Sequence, residues 1–295
     1  MRTIKIILCV AISFILWQCS NNSGKPISAT AIQTDTLKKG ATEKKTYMLP
    51  SPDEILSDII SHKIVINQRL VNPMGNSEKY LESKAQAINL GVYVADFAYL
   101  NLNKNKTNAL EYFKLLRDLA QKINIYGSFD EAFFNRVQAN LSNNDSLISI
   151  SQGLFFNMSE TLENSNRPKV YALISAGALI ETLYLSAMSI TNYSDYSAMA
   201  NKIFEQKSVF NNFYAFLSQQ KNDPDISSVL NQLDNLKIIF EKPEGKPQKT
   251  TIAKDKPNHL TIKGGTGINV NEAMFNDFKV IIGQTRNEFV NVSNK

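Results

Sequence analysis

Thiols and imidazoles are scarce in this chain. It has two cysteines, Cys9 and Cys19, and two histidines, His62 and His259, which stand in unrelated contexts. Beyond Cys19 there is therefore no disulfide, no Cys-ligated metal and no thiol nucleophile. No Glu-x-x-His pair occurs, which removes a ferritin-like di-iron bundle. His-Glu-x-x-His, EF-hand loops and cysteine clusters are missing too, so no metal site is readable and no cofactor is expected. A Gly-x-Ser-x-Gly elbow is also lacking, although counting residues leaves a Ser-His-Asp triad open. Lys263-Gly264-Gly265-Thr266-Gly267 superficially matches a phosphate loop, but the full Gly-x-x-x-x-Gly-Lys-Ser/Thr pattern is absent. A glycine-rich turn before the last helix is the better reading.

The N-terminal end carries more information. Arg2 and Lys5 precede an apolar run from Ile6 to Trp17, followed by Gln18 and Cys19. A permanent bilayer span needs about 20 apolar residues, so this shorter run reads as a secretory signal. Leu16-Trp17-Gln18-Cys19 resembles a bacterial lipobox in the relaxed form of Bacteroidota, with Trp17 and Gln18 where small residues are usual. That resemblance implies a signal over residues 1–18 and lipidation of Cys19. The alternatives are an ordinary secretory signal with a chance cysteine, or an uncleaved anchor. Residues 19–46 are polar and of low complexity, too poor in apolar surface to fold, and read as a tether. The acidic run that resembles a surface-export signal is absent after Cys19. The expected location is therefore the outer membrane, with the periplasmic face favoured over the cell surface.

Charge adds little. The chain has a formal charge of +5, and removing Arg2 and Lys5 lowers it to +3. Much of the excess lies between Lys242 and Lys263, beside Pro243, Pro247 and Pro257. Such a segment could attract anionic headgroups or nucleic acid. No nucleic-acid module is present, so residues 242–268 are expected to be a solvated basic linker with one short extended segment near Thr250 to Lys263, and no nucleic-acid partner is expected.

Between the tether and that linker the pattern is helical. Ser51-Pro52-Asp53-Glu54 has the form of a capping box with proline at the first helical position, followed by Ile55, Leu56, Ile59 and Ile60. This helix should stop before Asn72-Pro73. A long helix is expected from Ser77 to about Leu102, its stripe running Leu81, Ala85, Ile88, Val92, Ala95, Tyr99. Others should open at Thr107, at Ser128 in a second capping box, and at Asp145. Pro168 should start a helix that is apolar nearly all round. It is long enough to cross a membrane, but Glu181 near its middle favours burial inside a bundle. Further helices are expected from Ser194 to Gln220, broken near Ser208, from Asp223-Pro224, and from Asn271 to Val290. The fold class is thus all-α, about nine helices in all, with a bundle over residues 47–241 and residues 269–295 forming a C-terminal helix packed on it; an arrangement in two pseudo-symmetric halves is open.

Val94 to Leu100 echoes Leu179 to Leu185, with Gly91 and Gly177 one residue out of register, and Ser128 to Phe134 echoes Ser208 to Tyr214. Two pseudo-symmetric helical halves would explain this; so would heptad-like patterns shared by chance. The echo sets Asp96 against Glu181 in the two most apolar helices. Inward carboxylates need partners, for which Arg117, Arg136, Arg167 or a tyrosine hydroxyl could serve. Asp96, Tyr99, Glu181 and Tyr184 are accordingly the candidate buried polar or ligand site. Its roles range from fixing helix register, the favoured reading, to binding a cation or acting as acid and base.

At Tyr47-Met48-Leu49-Pro50-Ser51-Pro52, at Asn89 to Asp96, at Gly177 to Leu185 and at Arg286-Asn287-Glu288-Phe289-Val290, the chain resembles uncharacterised all-helical lipoproteins of Bacteroidota. The resemblance covers most of residues 47–290. It implies a helical fold and a lipid anchor, and no activity. The sequence as a whole points first to a non-enzymatic envelope lipoprotein, attached to the membrane through its lipid, that binds an envelope protein or serves as its accessory subunit. A small-molecule-binding bundle with a pocket near Asp96 and Glu181 comes second. An enzyme using those acids comes third.

Overall fold

A computed structural model describes residues 51–102, 109–243, 245–256 and 259–291. Chain contacts divide the protein between Lys45 and Thr46, and the second unit, Thr46–Lys295, holds every described residue. The signal of residues 1–18, Cys19, the tether, the Tyr47 to Pro50 entry and the helix opening at Thr107 lie outside the described residues.

Ten α-helices occur among the described residues: α1 (Pro52–Ser61), α2 (Ser83–Asn101), α3 (Ala109–Lys122), α4 (Glu131–Ala139), α5 (Asn144–Asn164), α6 (Pro168–Ser189), α7 (Tyr193–Glu205), α8 (Lys207–Ser218), α9 (Pro224–Glu241) and α10 (Glu272–Val290). The fold is an all-α bundle, as the periodicity predicts, and the break expected near Ser208 falls at Gln206.

α2 and α6 form the centre. α6 packs against α1, α2, α5, α7, α9 and α10. Its length and apolarity would suit a membrane span, yet it is mostly buried inside the bundle. Being apolar on nearly every side, it has no face that gains from meeting water, and neighbours cover most of it. α2 differs from the expected one-sided stripe. It starts at Ser83, and every residue from Ala85 to Asn101 is buried, polar Gln86, Asn89, Asp96 and Asn101 included. Leu81, predicted to belong to the stripe, precedes the helix and is exposed.

The crossing of these two helices depends on glycine. A Cβ on Gly91 would lie 1.9 Å from the Ile174 carbonyl oxygen, and one on Gly177 would lie 1.8 Å from that of Ile88. The contact is reciprocal: Gly91 faces Ile174 and Ala178, while Gly177 faces Ile88 and Val92. The register in which Gly91 matches Gly177 therefore relates the two sides of the crossing by a local two-fold.

Helix ends explain where the sequence reading slips. α1 stops at Ser61 rather than near Val71. Lys63 takes a left-handed conformation (φ 55°), and the bonds Ile64 N–H to Ile59 O and Lys63 N–H to Ile60 O close a Schellman motif. Asn124 ends α3 and Asn166 ends α5 in the same way. Lysine is an uncommon residue for that conformation, so nothing in the local sequence marks the stop. The chain from Ile64 to Glu82 is mostly irregular, with one 3-10 turn at Met74–Lys79 that takes in Ser77, the residue expected to open a long helix.

N-caps also shift. Ser51 sits at the N-cap of α1 but its side chain makes no capping bond. Asp130, not Ser128, caps α4 by accepting from Phe133 N–H at 2.8 Å, and Asn143, not Asp145, caps α5 by accepting from Ser146 N–H at 3.1 Å. Asn143→Ala should therefore cost about 1 kcal/mol of stability and Asp145→Ala only a few tenths, read from chemical denaturation midpoints.

Within residues 242–268 the extended structure is longer than the one short segment expected near Thr250 to Lys263. β1 (Gly245–Lys256) and β2 (His259–Ile268) pair antiparallel, from Gly245↔Ile268 to Lys256↔His259, with irregularities at Gln248/Thr251 and Lys254/Lys256. The β-branched runs Thr250-Thr251-Ile252 and Thr261-Ile262 favour strands. Pro247 is tolerated because each strand of a two-stranded ribbon has an unpaired edge. The high lysine content concealed this local preference.

Candidate functional site

The side chains singled out above meet where α2, α6 and α10 converge. Asp96 from α2 and Glu181 from α6 are fully buried, and the charge of Glu181 acts on Asp96. Arg286 of α10, itself buried, reaches Glu181. Its Nε donates to Glu181 Oε2 at 2.9 Å and its Nη2 to Oε1 at 3.2 Å, a two-pronged ion pair. The guanidinium also lies 4.8 Å from the centroid of the Tyr184 ring.

Two carboxyl groups this close cannot both be ionised in a buried site. Burial raises Asp96 well above the ordinary carboxylate range, and the neighbouring charge of Glu181 raises it further. Burial raises Glu181 as well, but the Arg286 charge and hydrogen bonds pull it back. These influences favour the proton on Asp96 and the negative charge on Glu181, an arrangement in which the buried trio is neutral overall. Asp96 Oδ2 accepts from Asn72 N–H at 3.0 Å. Its Oδ1 is shielded from solvent and accepts no hydrogen bond.

What these groups hold is the irregular chain between α1 and α2. Asp96 takes the backbone N–H of Asn72, and Arg286 Nη2 reaches Leu70 O at 3.5 Å. Tyr93 donates to Pro73 O at 2.9 Å. Tyr99 accepts from Asn67 N–H at 2.9 Å; since Ser189 Oγ gives its own proton to Leu185 O, Tyr99 donates to Ser189 at 2.8 Å. Gln86 caps Tyr80 O and Leu81 O. Asn89 donates to Phe289 O at 3.0 Å, and Tyr80 to Val290 O at 3.2 Å, fastening the end of α10. An irregular segment lying against a core carries backbone groups with no ladder to join, and buried polar side chains supply their partners.

Of the four predicted residues, Asp96, Glu181 and Tyr184 thus gather around Arg286, while Tyr99 lies on the next part of the same network. The partner is Arg286, not Arg117, Arg136 or Arg167. Arg167 instead closes the α3 end, donating to Asn124 O and Ile123 O. A usable signal existed. Phe275, Phe278, Ile282 and Phe289 form the buried stripe of α10, and Arg286 falls on that stripe at helical spacing. A charge placed on an apolar face is a candidate buried partner.

Asp96→Asn tests the proton assignment. An amide can donate where the acid donates, so the variant should fold with a change of within about 1 kcal/mol in acid. The unfolded carboxyl ionises near pH 4 and the folded one only at higher pH, so the native state binds the extra proton. Stability of the parent protein should fall as pH rises from about 4 towards the folded pKa, by up to about 1.4 kcal/mol per unit. The variant should lose that slope. Equal slopes in urea titrations from pH 4 to 8 would place the proton elsewhere.

The clefts of about 370 and 550 Å³ described on this body are formed by other side chains, between α4 and α5 and between α9 and α10. Among the described residues no three His, Cys, Asp or Glu side chains come together to hold a metal ion. The protein is of the all-α class, with two central helices crossing at glycines and a buried acid pair neutralised by an arginine of the last helix. No family model matches the chain, and no curated protein or solved structure matches it.

Proposed function

We propose that the protein is a lipid-anchored, non-catalytic binding or accessory subunit of the bacterial envelope. The observation that carries this reading is the direction of its buried polar groups. Asp96, Tyr99 and Glu181, the residues best suited to chemistry, are engaged with Arg286, Ser189 and the backbone of the Ile64 to Glu82 chain. A small-molecule pocket at Asp96 and Glu181 draws no support from that geometry. The lipobox-like Leu16 to Cys19, the polar tether after it and the resemblance to helical lipoproteins of Bacteroidota support attachment through an acylated Cys19. They also support residence at the outer membrane, facing the periplasm.

The test has two parts. Metabolic labelling with a radioactive fatty acid should mark the parent chain and leave Cys19→Ala unlabelled, with the variant moving from the membrane to the soluble fraction. A tagged, lipidated copy purified from the solubilised native envelope should retain a stoichiometric protein partner. Labelling without a partner would leave an anchor but remove the accessory-subunit reading.

A further inference from the structure

A second set of polar side chains lies away from the buried network, at the body's surface. We infer that the groove between α9 and α10 is a binding site for a neutral, hydroxyl-rich ligand, a short saccharide. The groove has a volume of about 550 Å³, within the range of ordinary small-molecule sites. Its α9 wall is Pro224, Ser227, Ser228, Asn231, Gln232 and Asn235, which recur at three- and four-residue spacing and so share one face over about three turns. Every one is neutral. Serine and asparagine form helices less readily than the Lys, Glu and Gln usual on exposed helix faces, so helix stability does not account for the stripe.

The opposite wall comes from α10. Gln284 and Thr285 continue the neutral set, Ile281 adds an apolar surface, and Glu288 is the one charged lining residue. Lys84 Nζ reaches Ser228 Oγ at 2.8 Å from outside that lining. The charges at the groove are one ammonium, Lys84 against Ser228, and one carboxylate, Glu288, too few cations for a nucleic acid and too few carboxylates for a metal ion, and a hydrophobe would need an apolar wall. Amides and hydroxyls instead offer donor and acceptor side by side, which matches the hydroxyl and acetamido groups of a sugar, while Ile281 suits the C–H face of its ring.

The inference is independent of the envelope reading and is tested with the full chain in detergent. Chitotriose and maltotriose, neutral trisaccharides with and without acetamido groups, serve as probes in saturation-transfer NMR, with glycerol as control. At least one sugar should show saturable transfer, weakened about tenfold or more in the double variant Asn231→Ala/Asn235→Ala. Gln284→Ala, a single position on the other wall, should weaken it in the same direction. Transfer no greater than glycerol's for both sugars, or transfer unchanged in the variants, overturns the proposal. So would loss of a captured protein partner in the double variant without sugar binding, which would make the groove a protein interface.

Discussion

Arg286→Met is expected to cost the fold about 3–5 kcal/mol, the usual result of breaking a buried ion pair from one side. Glu181 is fully buried and holds the charge of the acid pair, so without the guanidinium it must stay ionised unpaired or take up a proton. The variant also loses the reach to Leu70 O and the stacking on Tyr184. Adding Glu181→Gln to Arg286→Met should recover more than half of the loss, because the charge that needed the arginine is gone. The sign with pH follows from the same cause. Without Arg286 the folded pKa of Glu181 rises further above its unfolded value, so the deficit shrinks as the pH falls towards 4 and grows above it. Denaturant titrations of the parent, both single variants and the double at two pH values give the coupling directly. A loss under about 1 kcal/mol for Arg286→Met would mean that the trio is not the centre of the polar network.

How far this cluster could be read in the sequence depends on which contacts are local. α6, α9 and α10 are legible because proline or asparagine at their starts and a full apolar pattern agree with each other, and the all-α class follows from them. The inward pair Asp96 and Glu181 is legible because a carboxylate stands out in two apolar helices. Their partner is far along the chain, and only its position on the buried stripe of α10 marks it. The segment after α1 was hidden for a different reason. Lys63 ends the helix without a glycine or asparagine, and the groups that hold the following irregular chain, Asp96, Tyr93, Tyr99 and Arg286, all belong to other elements. Three of the four stretches that resemble helical lipoproteins meet here: Asn89 and Asp96, Glu181, and Arg286 with the Phe289 and Val290 carbonyls occupy one network. Their joint appearance in the sequence is what a shared structural role would produce, whatever the protein binds.

Gly91→Ala and Gly177→Ala should each destabilise the protein by about 3 kcal/mol or more, the upper end of overpacking effects. A single methyl is small, but it would stand 1.9 or 1.8 Å from a carbonyl oxygen of the facing helix, against 3.4 Å for ordinary contact. The obstacle is backbone on a fully buried helix, so no side-chain rotation relieves it; α2 and α6 must move apart and disturb everything packed around them. Gly153 supplies the internal comparison. It lies inside α5, where a methyl would meet nothing within 4 Å, so Gly153→Ala should stabilise the protein by about 0.5–1 kcal/mol through helix propensity alone. Urea midpoints of the three alanine variants against the parent give all these values. The reciprocity of the crossing adds a sharper expectation. If both glycines serve one close approach, separating the helices for the first alanine makes room for the second, and the double variant should cost clearly less than the sum. Additive losses would show two independent tight spots, and the local two-fold relation between α2 and α6 would then have no energetic meaning.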